Sequence, residues 1–178
     1  MSHSVRLFAG PKRALRPFVE TVPGTLIFAL TADAPAYVIT VDDRLLDALH
    51  ACNGTGEWLD APAHPDAAPP QLTTTDLTFA ALASTGTALA YLETAYFGGI
   101  GHQTAAVWID GKLAMRPAIA HTSEARPSKL LPINGALRLI GVAATYATPA
   151  DDEFAAFGLQ LYRNHEAVAA RALPVGRA

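Results

Sequence analysis

The stretch Thr87-Ala-Leu-Ala-Tyr-Leu-Glu-Thr-Ala-Tyr-Phe97, Gly98-Gly99-Ile100-Gly101, His102, Gln103-Thr-Ala-Ala-Val-Trp-Ile109 and Asp110-Gly111 decides the fold class. Its alternation is weak because alanine recurs throughout. Tyr91, Tyr96 and Phe97 nevertheless favour strand, and the glycine cluster and Asp110-Gly111 are the punctuation of consecutive antiparallel strands. Lys112 to Met115 continues the pattern as a third strand.

Working outward, Ser4 to Phe8 reads as a short strand, and Gly10-Pro11 breaks it before the basic stretch Lys12 to Arg16, read as a turn. Thr25 to Leu30 and Ala36 to Val41 are β-branched and aromatic runs bounded by Pro23-Gly24, Asp33 and Pro35, as two strands joined by a turn would be. Asp42 is the N-cap of a helix whose apolar face is Leu45, Leu46, Leu49 and Cys52, with Asn53-Gly54 as its exit. Residues 54–71 carry Pro62, Pro65, Pro69 and Pro70 and read as a flexible surface loop. Asp76 caps a short helix over Leu77 to Ala83. After Pro117 a loop holding His121, Glu124, Arg126 and Pro127 runs to Pro132, which opens a helix with Ile133, Leu137 and Ile140 on one face and Gly141 at its end. Asp151, Asp152 and Glu153 start a further helix as partners of its dipole, with Phe154, Phe157 and Leu161 in its body. Residues 164–178 are expected to fray. The expectation is one α+β domain over residues 1–178: an antiparallel sheet covered by about three to four helices.

Composition narrows the function classes. The chain has 178 residues, 51% hydrophobic and 16% charged, so it can bury one substantial core. Roughly a fifth of the residues are Ala, so the mean hydropathy of +0.21 reflects small side chains more than large ones. The longest apolar stretches are interrupted by polar or turn residues, which argues against a membrane partner. Lys+Arg 13 against Asp+Glu 16 leaves a net charge of -3, which is not the footprint of a nucleic-acid binder. Cys52 has no second cysteine to pair with, and Met1 to Arg6 has no apolar signal segment, so a cytoplasmic location is expected.

The Gly98, Gly99 and Gly101 cluster is first a device for reversing the chain, although successive amides there could also cradle an anion. It is neither a dinucleotide fingerprint nor a P-loop: the spacing is wrong and a strand follows instead of a helix. Glu93 interrupts an apolar strand, where a carboxylate must face water, pair with a cation or be protonated. Glu93 and His102 are therefore the candidate acid/base pair, reachable only through a favourable twist or bulge, with Gln103 as a group that could orient a ligand. His3, His50, His64, His121 and His165 form no compact metal-ligand motif, so no metal and no cofactor is expected. His50 sits near a helix C-terminus, where capping or exposure is the plainer role. Ser84, Ser123 and Ser128 lack a nucleophile elbow, so a serine hydrolase is unsupported.

The segment Tyr96-Phe-Gly-Gly-Ile-Gly-His-Gln-Thr-Ala-Ala-Val-Trp108, with Pro132-Ile-Asn-Gly-Ala-Leu-Arg-Leu-Ile-Gly-Val142 and Asp152-Glu-Phe-Ala-Ala-Phe-Gly-Leu159, resembles a group of small bacterial proteins without an assigned activity. In them a Phe-Gly-Gly-x-Gly-x-Gln hairpin precedes a helix and an Asp-Glu-Phe segment. The resemblance covers mainly the C-terminal half and implies a shared domain, with no catalytic residue to carry over. Size and bacterial character also suit immunity proteins, by analogy of form. The leading expectation is a cytoplasmic binding protein that acts on another protein, an immunity-type toxin inhibitor being one form of it. Its candidate contacts are Tyr96, Phe97, Gly98, Gly99, Gly101, His102, Gln103 and Trp108. The alternative is a small-molecule-binding domain or enzyme with a pocket beside Gly98 to Gly101.

Overall fold

The computed structural model describes residues 3–54, 73–98, 100–122, 127–148 and 150–175. Among these, β1 (His3–Gly10), β2 (Ile27–Ala29), β3 (Tyr37–Thr40), β4 (Ala88–Phe97), β5 (Ile100–Ile109), β6 (Lys112–His121) and β7 (Leu173–Val175) form a sheet in the order β6-β5-β4-β1-β3-β2-β7. Every pairing is antiparallel. The α+β class expected from the sequence is the one found.

Helices cover both faces. On the first, α1 (Lys12–Thr21), α2 (Asp43–Asn53) and α3 (Thr74–Ala83) bring Leu15, Phe18, Leu45, Leu49 and Ala80 onto Phe8, Ile39, Leu89, Tyr91, Ala106 and Trp108. On the second, α4 (Pro132–Leu139), α5 (Glu153–Ala156) and α6 (His165–Arg171) lie where Ile133, Leu137, Phe157 and Val168 meet Val5, Leu7, Val38, Leu92, Ala105 and Val107. A sheet buried on both sides has no polar face to alternate with, which explains the faint period-two signal of β4 and β5. The alanines have a use there: Ala90, Ala105 and Ala136 are fully buried where α4 lies on β4 and β5.

Two hairpin turns hold the sheet in register. Phe97 pairs with Ile100 and Ile109 with Lys112, so each loop has two residues. Gly98 (φ 60), Asp110 (φ 49) and Gly111 (φ 73) adopt the left-handed backbone such loops demand. Asp42 caps α2 as expected, accepting from Leu45 N–H at 2.8 Å. For α3 the cap is Thr73, three residues before the Asp76 that the sequence suggests, and Asp76 at the third helical position completes a capping box.

Four expectations need correction. The basic stretch after Pro11 is helix α1, not a turn; Pro17 sits inside it and obscures the apolar set Ala14, Leu15 and Phe18. Strand β6 runs on through Pro117 to His121, where a loop was expected. Pro117 has no N–H for the ladder, and the β5–β6 register shifts between Ala105 and Val107 to accommodate it on this outermost strand. Cys52 is exposed and takes no part in the apolar face of α2. Residues 164–175 are ordered instead of frayed. Asn164 caps α6, β7 pairs with β2, Arg163 O accepts from Ser4 N–H at 2.7 Å, and His165 Nε2 accepts from Arg6 N–H at 2.9 Å. This segment satisfies the β1 backbone groups beyond the reach of β3, a long-range role with no local sequence signal. The loop expected at 54–71 lies outside the described residues apart from Gly54.

Candidate functional site

Strand geometry divides the hairpin's side chains between the two faces. The pairs Tyr91–Ala106, Glu93–Thr104, Ala95–His102 and Phe97–Ile100 share the first face, and Leu92–Ala105, Thr94–Gln103 and Tyr96–Gly101 share the second. Glu93 and His102 are thus diagonal neighbours. Gln103 lies through the sheet from them and cannot orient a ligand held between them.

On the first face Glu93 is buried and its carboxylate accepts a hydrogen bond from Tyr91 OH at 2.8 Å. Burial, then the Glu93 carboxylate beside it, drives the Tyr91 phenol well above its ordinary value, so it stays protonated and serves as the donor. Arg6 is the cross-strand partner of Glu93 in β1 and donates to Asp43 Oδ1 at 2.8 Å. That hydrogen bond first, and the guanidinium charge second, hold the Asp43 carboxyl below its usual range. His102 Nε2 and Thr104 Oγ1 are buried without a hydrogen-bond partner. Nε2 of His102 is therefore not bonded to Glu93, whose carboxylate is engaged by Tyr91. His50, half-buried, lies 3.4 Å from Asp76 at α3 and not in solvent.

On the second face Gln103 ties the hairpin to α4. Its Nε2 donates to Tyr96 OH at 3.1 Å and its Oε1 accepts from Ile133 N–H at 3.0 Å, one of the helix-start donors that has no intrahelical acceptor. Burial raises the Tyr96 phenol. Asn134 donates to Ser128 O and Asp152 Oδ2 and accepts from Phe154 N–H, while Asp152 caps α5 through Ala155 N–H. A cavity of about 170 Å³ beside the hairpin is lined by Tyr96, Gln103, Leu131, Asn134, Asp152 and Phe154. It is well under the roughly 300–1,000 Å³ of small-molecule sites. The polar groups of Gln103, Asn134 and Asp152 already serve other protein atoms.

Glu153, expected as a partner of its helix dipole, is buried and bonded to Arg138 Nη1 at 2.7 Å and to Tyr146 OH. Burial alone would raise its carboxyl; hydrogen bonds from Tyr146, its own backbone and Arg138 outweigh this and hold it below the usual range.

At the hairpin tip the picture reverses. Phe97 is 82% exposed and Ile100 is 79% exposed, directly opposite each other. Tyr96 is half-buried and Gly98 exposed, whereas Trp108 is 1% exposed and packs in the first-face core. Of the expected contacts, then, Phe97, Gly98 and part of Tyr96 reach a free surface. His102, Gln103 and Trp108 do not, because inward pleat positions on a doubly covered sheet leave none. Gly99 lies outside the described residues. Gly101 offers no anion cradle: its N–H donates to Thr122 Oγ1 at 3.1 Å and its carbonyl accepts from Thr122 N–H at 3.0 Å. Ile100, Arg6, Tyr91 and Asn134 were missed by sequence reasoning; only Ile100, a large apolar residue between turn glycines, carried a local signal.

Among the described residues no three His, Cys, Asp or Glu side chains are gathered to hold a metal ion, and no helix is long and apolar enough to cross a membrane. No family model, curated protein or solved structure matches the chain.

Proposed function

We propose that this chain is a cytoplasmic bacterial binding protein that acts by protein–protein contact through the tip of the β4–β5 hairpin, in the manner of an immunity-type toxin inhibitor. The observation that carries the reading is the exposed, facing pair Phe97 and Ile100. Large apolar side chains side by side at the end of a hairpin are costly to leave in water, so a partner that buries them gains hydrophobic free energy. The alternative, a small-molecule site beside Gly98 to Gly101, draws on the cavity under Tyr96 and Gln103. Its small volume and internally committed polar walls weigh towards partner contact.

The test is affinity purification of the tagged chain from a bacterial host beside a Phe97→Asp/Ile100→Asp variant. The expected result is one stoichiometric protein retained by the wild type and lost by the variant, with an unchanged melting temperature because both sites are exposed. With the purified partner, the Kd should rise by about 100-fold, the weight of two hot-spot residues. Equal retention by both proteins moves the interface elsewhere, and no partner from the wild type shifts weight to the small-molecule reading.

A further inference from the structure

In the cavity beside the hairpin, Tyr96, Leu131, Asp152 and Phe154 are half-buried and form the rim, while Gln103 and Asn134 are buried and form the floor. Its volume of about 170 Å³ holds about five water-sized groups at roughly 30 Å³ each. The donors around it are largely spent. Asn134 Nδ2 donates to Ser128 O and Asp152 Oδ2, and Gln103 Nε2 donates to Tyr96 OH. Acceptor capacity remains: Asp152 takes one bond on each oxygen, from Ala155 N–H and from Asn134 Nδ2, whereas a carboxylate offers about four lone-pair sites. The neighbouring acids are matched, Glu153 with Arg138 and Asp151 with the Thr148 amide and hydroxyl. Among the described residues no Lys, Arg or His forms an ion pair with Asp152. His3, with its ring centroid 5.8 Å from that of Phe154, is bonded to Thr94 and to Leu159 O. Burial chiefly lowers its pKa, so at pH 7 it is neutral and brings no competing charge.

We propose that this cavity is a socket for one primary ammonium group, carried by a lysine side chain of the protein that binds the hairpin tip. The inference rests on the tip reading and names what that partner must present. Lysine joins a slim four-carbon stem to a compact charge, and those five groups match the volume of the socket. The stem lies against Leu131 and the Tyr96 and Phe154 rings, and the ammonium donates to the open lone pairs of Asp152. Aromatic faces add attraction for a cation. Arginine fits less well, because its five donors would meet one carboxylate and the remainder would be desolvated without partners. An anion is repelled by Asp152. The position suits a partner at the tip: Tyr96 directly precedes Phe97, with consecutive Cα atoms about 3.8 Å apart, and its side chain points to the opposite face. A protein closing over Phe97 and Ile100 therefore reaches the rim.

The test is an NMR titration of the full chain with n-butylammonium chloride, the lysine side chain without its backbone, beside neutral n-butanol at matched ionic strength. Ring resonances of Tyr96 and Phe154 should shift saturably in the millimolar range expected of so small a ligand, and butanol should bind at least about 10-fold more weakly. Asp152→Asn, which can still cap α5, should weaken ammonium binding at least about 10-fold. Leu131→Trp, which fills the socket and keeps the carboxylate, should abolish it and decides the matter where Asp152→Asn fails to fold. The protein retained in affinity purification should displace butylammonium from the wild type. No saturable shift, or equal binding of butylammonium and butanol, overturns the socket and leaves the tip contact standing, since Phe97→Asp/Ile100→Asp tests that separately. Saturable binding with no retained protein, or with one that leaves butylammonium in place, assigns the socket to a free amine and overturns the lysine contact.

Discussion

A single glutamine shows how a residue that looks functional can be structural. Gln103 stands beside three glycines and a histidine, yet both ends of its amide are engaged, one with Tyr96 and the other with the first turn of α4. Gln103→Ala should cost about 1–3 kcal/mol in urea unfolding by stranding the Ile133 amide; unchanged stability would refute this role. His165 gives the molecule a pH response of definite sign. Burial first, and then the Arg6 charge, lower its pKa against smaller opposing effects of the Asp42 and Glu166 charges, and as an acceptor from the Arg6 amide it must be neutral. The unfolded imidazole titrates near 6.5, so the contribution is complete above about pH 6.5 and is lost as pH falls from there through the lower folded value. His3, lowered chiefly by burial, acts in the same direction. The urea midpoint should fall between pH 7.5 and pH 5.5, and His165→Gln, which can still accept but does not titrate, should flatten part of the fall. An identical slope in the variant would exclude His165 as a source. None of these partners was legible in the sequence, because Gln103 and Ile133 are 30 residues apart and His165 and Arg6 are 159 apart.

Elements declare themselves where caps and turns are local. Asp42, Asp110-Gly111 and Gly98 marked α2 and both hairpins because each acts within a few residues of itself. Helix α1 was hidden by Pro17, although Ala14, Leu15, Phe18 and Val22 carry a helical spacing that continues past it. Strand β6 was cut short at Pro117 because tolerance of proline depends on lying at the sheet margin, a fact of topology. The hairpin glycines also differ in kind. At Gly98 a side chain would meet nothing but would inherit an unfavourable left-handed backbone, so Gly98→Ala should cost about 1 kcal/mol. At Gly101 a Cβ would collide with the Ala95 carbonyl and the Tyr96 backbone of the partner strand, so Gly101→Ala should cost about 2–3 kcal/mol by thermal or urea unfolding. Equal losses at the two positions would contradict this close approach.

At the scale of the whole molecule, class and hairpin order could be read from sequence, but double coverage of the sheet could not, since it arises from residues brought together at long range. The C-terminal segment is the clearest case: Val168 and Ala172 complete the second-face core and β7 covers β2. A chain ending at Arg163 should lose cooperative unfolding or precipitate at 37 °C, whereas retention of the wild-type transition would show residues 164–175 to be dispensable. The sheet's two margins complete the picture. At one, β6 presents exposed Lys112 and Arg116 and a proline bulge; at the other, β7 is three residues long with Pro174 at its centre. Charge, bulge and brevity each discourage a further strand from adding on. These margins thus protect a largely apolar sheet against templating its own fibre. Replacing Arg116 with Val and Pro117 with Thr should remove that protection, and light scattering should then detect concentration-dependent assembly that the parent chain lacks.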